Sequence, residues 1–331
     1  MANFSSRTSI VSLDLTGAGA PVAWQRDHDP ETELFVMGRL AGLSALADKA
    51  GVDLITLDSS FRLGGRRRRD AWLDGALAAS RLGNHTAAAV IAASVPLGVT
   101  PNDQVASAVA SLHRSTAGRG GWQVESPAAH TALPGGVDAV VKQLRSPAVS
   151  RRTGAVASGP APAVVVRVGS DVDVEIAAAR ADVARLRVDS VEEARNLRAA
   201  LRTAARDWGR DADEIKVLVD VHTLIAPDAA RAQARADLLR DLGLAPADGL
   251  LRTAGPAHEL ARLWQNWVRA GAADGFAVIP ASVPTDVVAL VSEVLPDLRA
   301  RGLRSQIAPV PAEFAAAERT SRERAGSPVA A

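Results

Sequence analysis

Short runs of β-branched and apolar residues alternate along this chain with longer stretches whose apolar positions recur at helical spacing. Residues 9–15 (SIVSLDL) predict a first strand, followed by a helical pattern over about 32–50. Residues 52–58 (VDLITLD) predict a second strand and 70–83 a second helix. The pairing then repeats: strand 87–94 with helix 103–115, strand 121–125 with helix 135–146, and strand 163–170 with helix 171–181. Strand 183–188 leads into a helix over about 190–207. That helix opens on Ser190 and Glu193, the two members of a capping box. Its stripe runs through Val191, Ala194, Leu197, Leu201 and Ala204, and Gly209 stands where a helix-ending glycine belongs. A seventh strand over 215–225 is read with helices after it, and an eighth over 275–281 precedes a helix over 286–302.

Strand-then-helix units in unbroken succession predict parallel strands joined by helical crossovers. Eight units in roughly 300 residues, with no domain break, fit an α/β architecture of the closed (β/α)8 TIM-barrel type. The competing architecture is a doubly wound open sheet, which calls for a glycine-rich turn and a helix directly after the first strand. Gly17 and Gly19 lie there, but Pro21 follows and no helical pattern begins. The barrel is therefore expected over residues 1–310, with a flexible tail over 311–331 and a poorly structured linker over 150–163.

Composition narrows the function classes. Hydrophobic residues make up 47% of the chain, enough for one large core, and the net charge of +1 argues against a nucleic-acid binder. The absence of cysteine rules out disulfides, thiolate catalysis and cysteine-built zinc sites. The first ten residues, MANFSSRTSI, lack the apolar core of a secretory signal, and no apolar run reaches membrane-spanning length. A soluble cytoplasmic protein without nucleic-acid or membrane partners is expected.

The glycine-rich stretch 115–125 (STAGRGGWQVE) frames a single arginine at the start of the fourth strand. Gly118 and Gly120 allow a tight turn of low bulk there. Arg119 sits at a strand beginning, the stability face of a barrel, so a structural role reaching helix carbonyls or a carboxylate is expected. Chemistry belongs at the opposite, carboxyl ends of the strands. That rule selects Asp58, Ser59, Ser94, Gln123, Ser126, Gly169, Ser170, His222 and residues 280–282. Taken singly, each is equally readable as a polar strand cap.

Residues 110–127 (ASLHRSTAGRGGWQVESP) resemble a signature of the bacterial luciferase-like flavin monooxygenases. The likeness is strongest to the two-component branch acting on sulfonates, aminopolycarboxylates and thiophene sulfones. Residues 42–60, 201–225 and 267–303 resemble further segments of that family in the same order. The resemblance implies a flavin-binding barrel that uses reduced FMN from a partner flavin reductase, and O2, on a small-molecule substrate. It also implies a homodimer, with the alanine-rich helices at 73–83 and 105–112 able to pack across the interface or equally well within the monomer. A reduced deazaflavin performing hydride transfer is a close variant. Cofactor contacts are implied at Asp58, Ser59, Ser94, Gln123, Ser126, Gly169 and Ser170, with a phosphate at the last two. His222 is the one candidate catalytic acid or base, because it alone of the six histidines falls near a strand end. The histidines show no metal-ligand spacing.

The chain departs from the family pattern at three points. Asp171, Asp173 and Glu175 bring negative charge to the helix start where a phosphate would dock. Residues 126–162 hold only one helix and a short loop, where relatives carry a long lid-bearing excursion. With no tyrosine and five phenylalanines, few rings remain to sandwich a flavin; Trp24 is one candidate, and it fits the core equally. Arg66–Arg69 in the loop after the second strand offer an alternative anion site or a merely solvated run. A barrel that has lost flavin binding and serves a non-catalytic role is thus the reading from a different class.

Overall fold

Alternation within each strand decides what the sheet encloses. Side chains one residue apart point to opposite faces; Ile10, Leu54, Ala92, Val165, Val183, Leu218 and Ala277 cluster on the inner face. Their neighbours Val11, Leu13, Ile55, Ile91, Val164 and Val217 join a larger core under the helices. The computed structural model describes residues 9–19, 30–60, 73–98, 100–124, 134–146, 159–242 and 249–304. The predicted tail and most of the 150–163 linker lie outside these residues, as do Trp24, Arg66–Arg69 and Ser126.

Among the described residues, nine strands form one parallel sheet: β1 (Ile10–Asp14), β2 (Leu54–Leu57), β3 (Val90–Ser94), β4 (Gly120–Val124), β5 (Ala163–Val168), β6 (Val183–Leu186), β7 (Lys216–Ile225), β8 (Leu251–Gly255) and β9 (Gly275–Pro280). β1 pairs with both β2 and β9, and β7 pairs with both β6 and β9, so eight of the strands close into a barrel. Closure rules out the open sheet. The Gly17 segment forms a short 3-10 turn over Thr16–Gly19, not the start of a dinucleotide-binding helix.

The helices follow in turn: α1 (Pro30–Lys49), α2 (Leu73–Leu82), α3 (Asn102–Ser115), α4 (Pro134–Arg145), α5 (Asp171–Arg180), α6 (Val191–Asp207), α7 (Ala229–Asp241) and α8 (Ala257–Arg269). After β9, α9 (Thr285–Ala289) passes through a π-helical turn into α10 (Leu295–Ala300). In α6, the Ser190 side chain accepts from the Glu193 amide, and Gly209 takes a φ of 70° just past the end.

Strand β8 is the addition to the predicted plan, which placed only helices between β7 and β9. It pairs with Val221–Ile225, the upper half of β7, on the edge that β6 occupies lower down. Leu251 donates to the Val188 carbonyl, so β8 takes up the sheet where β6 ends.

Aspartates stitch the amino-terminal face. Asp53, Asp182 and Asp274, each directly before or one residue from a strand, accept the amides of Val11, Val164 and Val217 on adjacent strands. Arg304 closes this end by bonding Asp53 at 2.7 Å. Burial lowers the pKa of that arginine to about 10. Arg119 is structural here, though its partners lie in the turn and loop before β3 more than in a helix: its two terminal nitrogens donate to the Thr86 hydroxyl and to the carbonyls of Gly83, Thr86 and Ala89, at 2.8–3.0 Å. Gly118 turns the chain with a φ of 82°, and Gly120 passes so close to α3 that a Cβ would lie 2.5 Å from His113.

Candidate active site at the barrel mouth

The interior changes character from one end of the barrel to the other. The apolar floor gives way to Asp14 on β1, Thr56 on β2, Ser94 on β3, Gln123 on β4, Arg167 on β5, Arg185 on β6, and Asp220 and His222 on β7. Arg185 holds this layer together. Its side chain is fully buried; Nε donates to Asp220 at 2.7 Å, and Nη1 lies 3.0 Å from Asp14, 3.0 Å from the Thr56 hydroxyl and 2.9 Å from the Gln123 amide oxygen. The guanidinium therefore ties together four other strands. Burial opposes its charge, but Asp220 and Asp14 more than offset that and raise its pKa above the ordinary arginine value. The reciprocal effect appears at Asp14: burial works against ionisation, and Arg185 and Arg167 overcome it, lowering the carboxyl's pKa.

A second guanidinium stands at the rim. Arg167, 28% exposed, bridges Asp14 at 3.4 Å and Asp58 at 3.2 Å. The other oxygen of Asp58 accepts from the Ser60 amide and hydroxyl, while its own amide donates to Thr16. Ser59 follows it, half-buried at the rim. Ser94 and Gln123 are register partners across β3 and β4, with the Gln123 amide nitrogen 3.4 Å from the Ser94 hydroxyl. His222 lies two residues beyond Asp220 on the same strand face. Burial, then the charge of Arg252, lowers its pKa to about 4. It is a neutral imidazole at physiological pH.

The predicted site residues thus divide. Asp58, Ser94, Gln123 and His222 gather around the polar layer, with Ser59 at its edge. Gly169 and Ser170 reach the same end of the barrel, but the Gly169 amide and the Ser170 hydroxyl are already engaged. The Gly169 amide donates to Asp173 Oδ2 at 3.0 Å, and the Ser170 hydroxyl donates to the same oxygen at 2.9 Å. Ser170 Oγ in turn caps α5 by accepting from the Asp173 amide. Asp173 is fully buried in this arrangement.

Sequence reasoning missed Asp14, Thr56, Arg167, Arg185 and Asp220. The signal is a polar or charged residue at an inward position of an otherwise apolar strand, as in LITL, AVVVRV, VARL and KVLVDVH. Among the described residues, no group of histidine, aspartate and glutamate side chains could hold a metal ion. No helix among them is long and apolar enough to cross a membrane.

A closed parallel barrel with its charged layer at the strand carboxyl ends has the architecture of the TIM-barrel enzymes. Solved structures share this barrel. EDTA monooxygenase from Chelativorans sp. BNC1 matches at a TM-score of 0.68 and 15% identity, covering 90% of this chain and 95% of its own. DmoA from Hyphomicrobium sulfonivorans matches at 0.68 and 16%, covering 92% and 91%. Riboflavin lyase, solved with modified FMN and riboflavin, matches at 0.66 and 17%, covering 92% and 94%. At these identities the likeness is one of fold, and it is the fold that the sequence resemblance implies. By sequence, neither a protein-family model nor a curated protein matches the chain.

Proposed function

We propose that the chain is a flavin-dependent monooxygenase that takes a reduced flavin from a separate reductase and uses O2 on a small organic molecule. The observation that carries this reading is the polarity of the barrel interior. Burying ions costs on the order of several kcal/mol each unless they are well paired. A barrel selected for stability alone would continue its apolar floor to the top. Here the top carries two guanidiniums, three carboxylates, an amide, hydroxyls and a histidine held neutral.

The two ends of a flavin place different demands on that mouth. The ring needs donors and acceptors along its polar edge, which Ser94, Gln123, Asp58, Ser59 and Arg167 supply from the ends of four strands or the turns after them. The neutral His222 can hold or accept a proton at a ring nitrogen and is the candidate acid–base group. Bound there, the flavin would supply the electrons for oxygen chemistry, while the protein orients the ring and excludes water. A phosphate dianion instead needs open donors, and the β5–α5 turn offers none at Gly169 N or Ser170 Oγ. FMN, implied by the resemblance, therefore fits by its ring and not by its phosphate at this turn.

The homodimer implied by the resemblance belongs to the same proposal; α2 exposes 58% of Leu77 on its outer surface. The closed β5–α5 turn also favours a second reading, a barrel of this fold that binds no flavin. Anaerobic titration with photoreduced FMN, riboflavin and a deazaflavin, followed by tryptophan fluorescence, separates the two. Saturable quenching by a flavin is the expected result, quenching by the deazaflavin alone would assign the hydride-transfer variant, and a flat response to all three would leave the non-catalytic barrel.

A further inference from the structure

Asp173 makes contacts that an incoming anion would otherwise make. The first turn of a helix presents free amides and the positive end of its dipole, and a phosphate docks there through those amides and nearby hydroxyls. In α5 one carboxylate oxygen already takes both the Gly169 amide and the Ser170 hydroxyl, at 3.0 and 2.9 Å. The side chain belongs to the helix's own third residue and is fully buried, so it cannot swing out without losing both of these bonds. A second carboxylate, Asp171, sits in the same turn. Arg167, two residues before Gly169 on β5, bridges Asp14 and Asp58.

We infer that Asp173 is a specificity residue that closes the anion position beside the mouth, so that the chain selects a flavin lacking a charged tail. This rests on the flavin reading above and names the ligand class more narrowly: riboflavin binds at least as tightly as FMN. A dianion brought to this turn would displace a bonded carboxylate and face its charge at short range in a poorly solvated place. A ribityl hydroxyl carries no such penalty.

The test compares dissociation constants for reduced riboflavin and reduced FMN in the wild-type protein, Asp173→Asn and Asp173→Ser, with thermal unfolding recorded for each. Taking the FMN-to-riboflavin ratio within each protein cancels any general loss caused by a weakened helix cap. The wild type is expected to favour riboflavin or show no preference. Removing one charge beside a dianion should shift the ratio toward FMN by about tenfold or more, a change of about 1.4 kcal/mol. A wild type that prefers FMN by that margin would overturn the inference while leaving the flavin reading intact. So would a ratio unchanged in both folded variants. If the folded wild type binds neither flavin, the flavin reading itself fails, and this inference fails with it.

Discussion

Arg185 is the residue on which the mouth depends. Removing one partner from a buried ion cluster leaves the others uncompensated, which costs about 3–5 kcal/mol. Arg185→Met should therefore lower stability by that order in urea unfolding, because Asp14 and Asp220 lose their shared cation. The triple change Arg185→Met, Asp14→Leu, Asp220→Leu removes the charges together. It should recover most of the stability while abolishing flavin binding. Binding retained by the triple variant would mean that the cluster serves only the fold. His222 gives a pH signature of the opposite kind. Its folded pKa of about 4 lies below the ordinary 6.5, so protons bind the unfolded chain first. Its contribution to stability is complete above about pH 6.5 and declines as pH falls toward about 4. Melting curves across that window should show a smaller loss in His222→Gln than in the wild type. Legibility at this scale was uneven. Ser94 and Gln123 were readable because they are polar at strand ends. Arg185 was not, since its partners lie on β1, β2, β4 and β7 and only the barrel's register brings them together.

At the scale of elements, the turn from α3 into β4 shows why small residues surround one arginine. Gly120 passes against the backbone of α3, and Arg119 from the same turn ties down the loop before β3. Gly120→Ala places a methyl where backbone already stands, so it should lose about 1–3 kcal/mol, read as a lower midpoint in thermal or urea unfolding. A variant as stable as the wild type would show that α3 can move aside. The strands that alternate apolar residues with a single helical partner were all readable. Strand β8 was not: it exposes Arg252 and Ala254, and nothing in LRTAG marks a buried run. It exists because β6 stops at Leu186 while β7 continues to Ile225, leaving an unpaired edge that β8 covers. The acidic start of α5 was legible as a departure from the family pattern. That Asp173 takes up the Gly169 and Ser170 donors needed the geometry of the turn.

For the whole molecule, polarity separates the barrel's two ends. One end is bound by aspartates capping neighbouring strands and by the Arg304–Asp53 pair, an arrangement that explains stability. The other concentrates buried charge around Arg185 and ends in a rim of Asp58, Arg167 and His222, an arrangement that stability does not require. We propose that this second end receives a flavin ring. A crystal structure of the protein grown anaerobically with reduced riboflavin or FMN tests it most directly. Density for the ring is expected over the carboxyl ends of β2 to β7, within hydrogen-bonding distance of groups among Asp58, Ser59, Ser94, Gln123, Arg167 and His222. A flavin bound at the amino-terminal face, between the outer helices, or nowhere at saturating concentration would contradict it.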